Sequence, residues 1–254
     1  MLMQNFFSAT AQCRVRYLDL PGGGVPLLFI HGLGCASSYD YPRVVSDPAW
    51  SSRRSILIDL PGSGYSDRPQ SYGYSTREQA SVVGELVEHL GLNRFFLYGH
   101  SMGGSIAIEV AASMPGKIAG LMVSELNFRA GGGMYSRMIA AQTEDEFVAH
   151  GYQKAIAANA ENPWSGSLQN SDPSALWRAA VSLVSGIEPD WYQLFAQLKI
   201  PKTLIFGELS LPDEDFTAFQ QAGVTTTIVP SAGHAMSWEN PAGLARVLAE
   251  QCRA

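Results

Sequence analysis

Phe95-Phe96-Leu97-Tyr98 runs straight into Gly99-His100-Ser101-Met102-Gly103, and Ile106-Ala107-Ile108-Glu109-Val110-Ala111-Ala112 follows at once. The first run has the apolar content of a buried strand and the last the pattern of a helix, so the pentapeptide between them sits at a strand-to-helix turn. A G-x-S-x-G pattern carries chemical meaning only in that setting. There the serine occupies a strained backbone position and its hydroxyl is pushed out above the sheet. Gly99 and Gly103 leave room for strand and helix to approach closely. Met102, the residue after the serine, can turn its backbone N–H toward the place where an oxyanion forms.

Similar apolar runs recur along the chain and alternate with helical patterns, the signature of a mostly parallel sheet covered by helices. Leu27-Leu28-Phe29-Ile30 leads into His31-Gly32-Leu33-Gly34, and Ser55-Ile56-Leu57-Ile58-Asp59 into Leu60-Pro61-Gly62-Ser63-Gly64. Gly120-Leu121-Met122-Val123-Ser124 ends at Glu125, Lys202-Thr203-Leu204-Ile205-Phe206 at Gly207, and Thr225-Thr226-Thr227-Ile228-Val229 at Pro230. Each is expected to be a buried central strand. Ala80, Val83, Leu86, Val87 and Leu90 fall on one face of a helix predicted over 77–90. A final helix is predicted over 241–252, with proline at its start. Gly22-Gly23-Gly24 reads as a hairpin-type turn between early strands.

Residues 126–200 break the alternation. They carry Phe128, Tyr135, Phe147, Tyr152, Trp164, Trp177, Trp191, Tyr192 and Phe195, and read as several short helices. The expected organisation is a core domain of residues 1–125 and 201–254, with 126–200 inserted after the sixth strand as a helical cap. Most cap aromatics are expected to glue it down and a few to line a pocket. Gly131-Gly132-Gly133 reads as a flexible joint near its start.

At 254 residues and 46% hydrophobic content, the chain supplies one core with an insertion. Its net charge of −6 lacks long single-sign runs and argues against a nucleic-acid partner. Cys13, Cys35 and Cys252 share no metal or disulfide spacing and read as free thiols in a reducing compartment. Cys35 is read as a packing residue. Residues 1–7 lack a basic region followed by a sustained apolar segment, and no stretch nears the roughly 20 apolar residues of a membrane span. A cytoplasmic monomer or homodimer is the expectation. No metal or cofactor is implied: Gly62-x-Gly64 is too short and wrongly placed for a dinucleotide fingerprint.

A serine hydroxyl is a poor nucleophile until a base takes its proton. His234, in Ala232-Gly233-His234-Ala235-Met236 just past the last strand, is the base this order of elements offers. His89 and His150 fall in predicted helices and read as surface residues. His31 reads as a brace for the first loop, and His100 as pointing away from the serine.

Taken together, His31-Gly32-Leu33-Gly34, Asp59-Leu60-Pro61-Gly62-Ser63-Gly64-Tyr65-Ser66-Asp67, the Gly99–Gly103 elbow and Gly233-His234 resemble the α/β-hydrolase-fold superfamily of esterase and lipase type, over essentially the whole chain. The resemblance implies an α/β fold with a mostly parallel central sheet and helices on both faces. It also implies an oxyanion hole built from the backbone N–H groups of Leu33 and Met102. Most such proteins carry an aspartate after the seventh strand, in a Gly-Glu-x-Asp arrangement. Here the segment reads Gly207-Glu208-Leu209-Ser210, and serine cannot supply the charge that orients a histidinium. Haloalkane dehalogenases and zearalenone-type lactonases resemble this chain in ending the sixth strand with a glutamate, here Glu125. A carboxylate ending a buried strand is costly unless it is paired, and a histidine partner accounts for it. Asp213 and Asp215 remain alternatives through a rearranged loop; Glu208 lies very close to the strand end.

The expected activity is hydrolysis of a carboxylic ester or lactone bond in a small, mostly apolar molecule, with Ser101, His234 and Glu125 as catalytic residues. Alternatives are a thioester, amide or carbon–carbon hydrolase or perhydrolase on the same residues, and a ligand receptor that keeps the fold with little turnover. A dehalogenase is disfavoured, since the resemblance ties that reaction to an aspartate nucleophile where this chain has Ser101.

Overall fold

The computed structural model describes residues 3–50 and 52–253. Met1 and Leu2, on which part of the N-terminal reading falls, lie outside the described residues. The framework is an eight-stranded sheet of β1 (Gln4–Ser8), β2 (Cys13–Leu20), β3 (Gly23–Ile30), β4 (Arg53–Asp59), β5 (Phe95–His100), β6 (Ile118–Ser124), β7 (Lys202–Gly207) and β8 (Thr225–Val229). Their spatial order is β1-β2-β4-β3-β5-β6-β7-β8. β1 and β2 pair antiparallel, as do β2 and β4; every other pairing is parallel.

Two expectations about the strands need correction. Gly22-Gly23-Gly24 is not a hairpin turn, because β2 and β3 are not neighbours and β4 lies between them. The N-terminal pair β1–β2 alternates buried and exposed side chains, as an antiparallel ribbon with one wet face does. β8 is not a buried central strand: only Val229 of its five residues is buried, because it is the sheet edge. The central strands do follow the rule. All seven residues of β6 are buried, as are the first five of β5. Each buried Leu, Ile, Val or Phe there contributes about 1.5–3 kcal/mol.

Helices cover both faces. Thr76–His89 begins at a capping box, in which Ser75 accepts from the Glu78 N–H and the Glu78 carboxylate accepts from Ser75. Its Val82, Val83, Leu86 and Val87 are buried. The C-terminal helix Pro241–Gln251 covers the other face, capped by Asn240 with proline in its first turn. Leu244 and Leu248 there pack into the cluster of Leu27, Phe29, Tyr98 and Met122.

Between β6 and β7 the chain forms short helices, among them Met134–Ala140, Tyr152–Ala158, Trp164–Leu168, Pro173–Ser185 and Trp191–Gln197. They are fastened to the loops that follow the strands. The Asp172 N–H donates to the Gly62 carbonyl at 2.8 Å, and Arg178 donates to the carbonyls of Gln70 and Tyr72. Gly62, at φ 85°, lies so close to Ala175 that a Cβ there would collide with it. Phe128, Tyr192, Phe195 and Phe219 stack together, and Trp191 donates to the Glu109 carboxylate at 2.9 Å. The triple glycine is pinned rather than a free joint: Gly131 N–H donates to the Val184 carbonyl at 2.8 Å, and Arg137 holds the Gly132 carbonyl. Among the described residues, no helix is long and apolar enough to cross a membrane.

Candidate active site

Chain direction reverses its spread across the sheet between β3 and β5, which are paired neighbours although β4 separates them in sequence. In parallel sheets ligands bind at such a point, beyond the carboxyl ends of the strands. The register brings those ends level. Ile30 lies opposite Gly99, His100 opposite Ser124, and Ser124 opposite Ile205. The loops that follow place Gly32 and Leu33, Ser101, Glu125 and Ser210 around one cavity of about 540 Å³, with His234 entering from the loop after β8. That size suits a small organic molecule.

Ser101 has φ 54° and ψ −123°, the strained turn expected of it, and helix Met102–Ser113 starts at the next residue. Such a backbone costs of order 1–3 kcal/mol and persists only when its surroundings enforce it. They do so here. A Cβ on Gly99 would strike the Gly103 carbonyl oxygen, and one on Gly103 would strike the Ile30 carbonyl oxygen. The Ser101 N–H donates to the Ser124 carbonyl at 2.8 Å, tying the turn to the end of β6. One residue later Glu125 is also at positive φ, 46°.

Glu125 is the acid that meets His234. Its Oε2 accepts from His234 Nδ1 at 3.1 Å and from the Ser210 hydroxyl at 3.0 Å, and its Oε1 accepts from the Gly207 N–H at 2.8 Å. The carboxylate partner fixes the tautomer: the proton is on Nδ1, and Nε2 keeps its lone pair. Only 6% of the Glu125 side chain is exposed, against 57% for His234. Burial pushes the Glu125 carboxyl up, but the hydrogen bonds from His234, Gly207 and Ser210 outweigh it, and the group sits below the usual carboxylate range. The alternative acids have other partners. Asp213 caps helix Glu214–Gln221 through the Phe216 N–H, Asp215 pairs with Arg129 at 2.7 Å, and Glu208 accepts from the Ser231 N–H.

Two loops border Ser101 in the cavity. Met102 opens its helix, so its N–H has no acceptor within that helix, and the helix end favours negative charge. Leu33 lines the cavity, and its carbonyl accepts from the Trp164 indole at 2.9 Å. A Cβ on Gly32 would stand 3.2 Å from the Ser101 Cβ, which shows how closely this loop passes the serine. His31 braces it: buried Nε2 accepts from the Leu60 N–H at 3.0 Å, so Nδ1 donates to the Gly32 carbonyl at 2.9 Å. Burial holds His31 below the usual histidine range.

His100 takes a place in the site beside His234. Its ring lines the cavity and lies against His234, centroids 4.7 Å apart, with Nδ1 2.9 Å from the Ser124 hydroxyl. Burial, and then the neighbouring His234, push its pKa down to about 3, so it stays neutral. Cys35 also lines the cavity, but burial and the nearby Asp40 raise its thiol well above the usual range, which leaves it a poor nucleophile. Of the aromatic residues singled out in 126–200, Tyr135 and Trp164 reach the cavity, stacked with centroids 4.6 Å apart. Among the described residues no group of three or more His, Cys, Asp or Glu could hold a metal ion.

A strained serine turn and a histidine–carboxylate pair at the carboxyl edge of a mostly parallel sheet define the class as α/β hydrolase. The chain belongs to the Alpha/beta hydrolase family, whose model matches residues 27–247. It is 35% identical to haloalkane dehalogenase 2 of Mycobacterium bovis (strain ATCC BAA-935 / AF2122/97) over 116 residues, 45% of this chain but only 39% of that protein's length. Among solved structures it is similar to a thermophilic esterase from Thermogutta terrifontis, with TM-score 0.80 and 21% identity over 100% of this chain and 98% of the other. It is likewise similar to the N-acyl homoserine lactonase AidH complexed with N-butanoyl homoserine, with TM-score 0.77 and 22% identity over 100% and 98% of the two chains.

Proposed function

We propose that the chain is a serine hydrolase that cleaves carboxylic ester or lactone bonds of small, mostly apolar molecules through an acyl-enzyme. The observation that carries this reading is the hydrogen bond from His234 Nδ1 to the buried Glu125, which frees Nε2 as a base in the cavity that also holds Ser101. His234 takes the Ser101 proton as the hydroxyl oxygen attacks the carbonyl carbon. The Leu33 and Met102 N–H groups then hold the oxyanion, and losing one such donor typically costs about 10²–10³ in turnover. His234 gives the proton to the leaving alcohol. A water activated by the same nitrogen then releases the acid and restores Ser101.

In this reading residues 126–200 are a helical cap on a core of residues 1–125 and 201–254. Tyr135, Trp164, Met134 and Leu183 supply the apolar surface that suits an acyl chain. The similarity to an esterase and a lactonase supports the bond type, and Ser101 speaks against the dehalogenase named among the relatives. The test is release of p-nitrophenol from a short-to-medium acyl ester series, with Ser101→Ala in parallel. Multiple turnovers that vanish in the variant support the reading. Turnover that survives in Ser101→Ala overturns the nucleophile, and no turnover by either protein shifts the weight to a narrow-specificity lactonase or carbon–carbon hydrolase, and after those to a ligand receptor.

A further inference from the structure

Besides Glu125, the wall of the cavity carries Asp40, Asp213 and Glu239, and of these three Asp40 is the buried one, with no part in the acyl transfer described above. Asp40, at the end of the short helix Ser37–Asp40, is 6% exposed and lines the same space as Ser101 and His234. A buried carboxyl is expensive unless something compensates it. Among the described residues no Lys or Arg pairs with Asp40. His31, which faces it, is neutral for the reason given above. What Asp40 does have are weaker partners: the Trp238 indole N–H donates to Oδ1 at 3.0 Å, and the Cys35 thiol and Ala36 N–H hydrogen-bond the carboxyl. Burial raises its pKa, as expected of a carboxyl held by neutral donors alone.

Its place relative to the chemistry is defined. The Cβ position of Gly32 is 3.2 Å from the Ser101 Cβ and 3.6 Å from the Cys35 Sγ, so Ser101 and the thiol that touches Asp40 both pack close to Gly32. Trp238, the clamp on Asp40, belongs to helix Met236–Glu239 immediately past His234, and Ala235 and Ser237 line the cavity with it. His234 must reach the leaving oxygen to protonate it, so the alcohol half of an ester lies along this wall. An alkyl alcohol there would bury the carboxyl against hydrocarbon, whereas a hydroxyl satisfies it in either protonation state.

We propose that Asp40 is a specificity-determining residue whose carboxyl hydrogen-bonds a second hydroxyl on the alcohol half of the substrate, selecting esters of a diol or polyol over esters of a simple alkanol. The proposal rests on the esterase reading above.

The test compares two nearly isosteric esters, 2-hydroxyethyl hexanoate and n-propyl hexanoate, by their kcat/KM ratio. An acyl-side pair, methyl 6-hydroxyhexanoate and methyl heptanoate, serves as control. The wild-type protein is expected to favour the hydroxyethyl ester about tenfold. Asp40→Leu brings that ratio to about one, while Asp40→Asn, which still accepts from Trp238 and offers an amide donor, keeps at least a third of it. The acyl-side ratio does not follow Asp40. Should the leucine variant fail to fold, Trp238→Phe frees the carboxyl from its clamp and lowers the same ratio at least threefold. A wild-type ratio near one, a ratio indifferent to Asp40, or a loss confined to the acyl-side pair overturns the proposal. Absence of Ser101-dependent turnover on both members of the first pair instead overturns the esterase reading.

Discussion

The Ser210 hydroxyl donates to Glu125 Oε2 at 3.0 Å, the same oxygen that accepts from His234 at 3.1 Å. Position 210 is where the resemblance implies an aspartate, whereas the carboxylate that meets His234 in this chain stands at the end of β6. Ser210 supports it by its hydroxyl. Each strand end can reach His234 because β6 and β7 are paired neighbours, with Ser124 at the end of β6 opposite Ile205 near the end of β7. A carboxylate at both positions would set two like charges against one histidine, and one of them would have to be neutralised.

The difference in position gives the first prediction. Glu125→Gln keeps the hydrogen-bonded geometry but loses the charge, and kcat on p-nitrophenyl butyrate is expected to fall about 10³–10⁴-fold. Adding Ser210→Asp to that variant restores a carboxylate beside His234 and recovers at least about tenfold. Loss below about tenfold in the single variant would point to Asp213 or Asp215, to be tested as Asp213→Asn and Asp215→Asn.

A second prediction concerns pH. The His100 ring has its pKa at about 3 in the folded protein against 6.5 for the free side chain, so between those values the unfolded chain binds more protons. Stability from this group is complete above about pH 6.5 and declines as pH falls toward 3, by at most about 1.4 kcal/mol per pH unit. Calorimetric Tm values at pH 7 and pH 5 should therefore show a flatter fall for His100→Phe than for the wild type. Equal slopes would mean that His100 is hydrated in the folded state. Because His100 is not a proton acceptor in the account, kcat of His100→Phe at pH 8 is expected to drop by less than about tenfold.

Trp164 provides a third test. Replacing it with Phe keeps the stack on Tyr135 but removes the indole N–H from the Leu33 carbonyl. Net loss of one neutral hydrogen bond is about 0.5–1.5 kcal/mol. If the Leu33 peptide holds the oxyanion, that loss appears in kcat, about two- to tenfold, with KM little changed. A rise in KM alone would make Trp164 a substrate contact only.

The strained serine turn was legible because its geometry is local: glycines on both sides, a strand before and a helix after suffice to force it at Ser101. His234 was legible by order along the chain. Glu125 could be read only through a departure, the serine at 210, combined with a carboxylate at the end of an apolar run. What lay beyond the sequence was pairing in space. His100 faces Ser124 only because β5 and β6 end in register, so its contact with His234 had no local signal. The Trp164–Leu33 bond and the Asp40–Trp238 bond join segments far apart in the chain. The exposure of β8 did leave a trace that was available, since Thr225-Thr226-Thr227 is a polar β-branched run more suited to an edge than to a core.

The most direct measurement on the central claim is peptide mapping by mass spectrometry after the protein reacts with a p-nitrophenyl alkylphosphonate, whose phosphorus a serine oxygen attacks, expelling p-nitrophenolate and leaving a stable phosphonyl adduct. The account predicts one adduct per chain on Ser101, absent in Ser101→Ala and formed at least about tenfold more slowly in Glu125→Gln. Labelling at Cys35 or another serine, or labelling of Ser101 at an unchanged rate in Glu125→Gln, would contradict it.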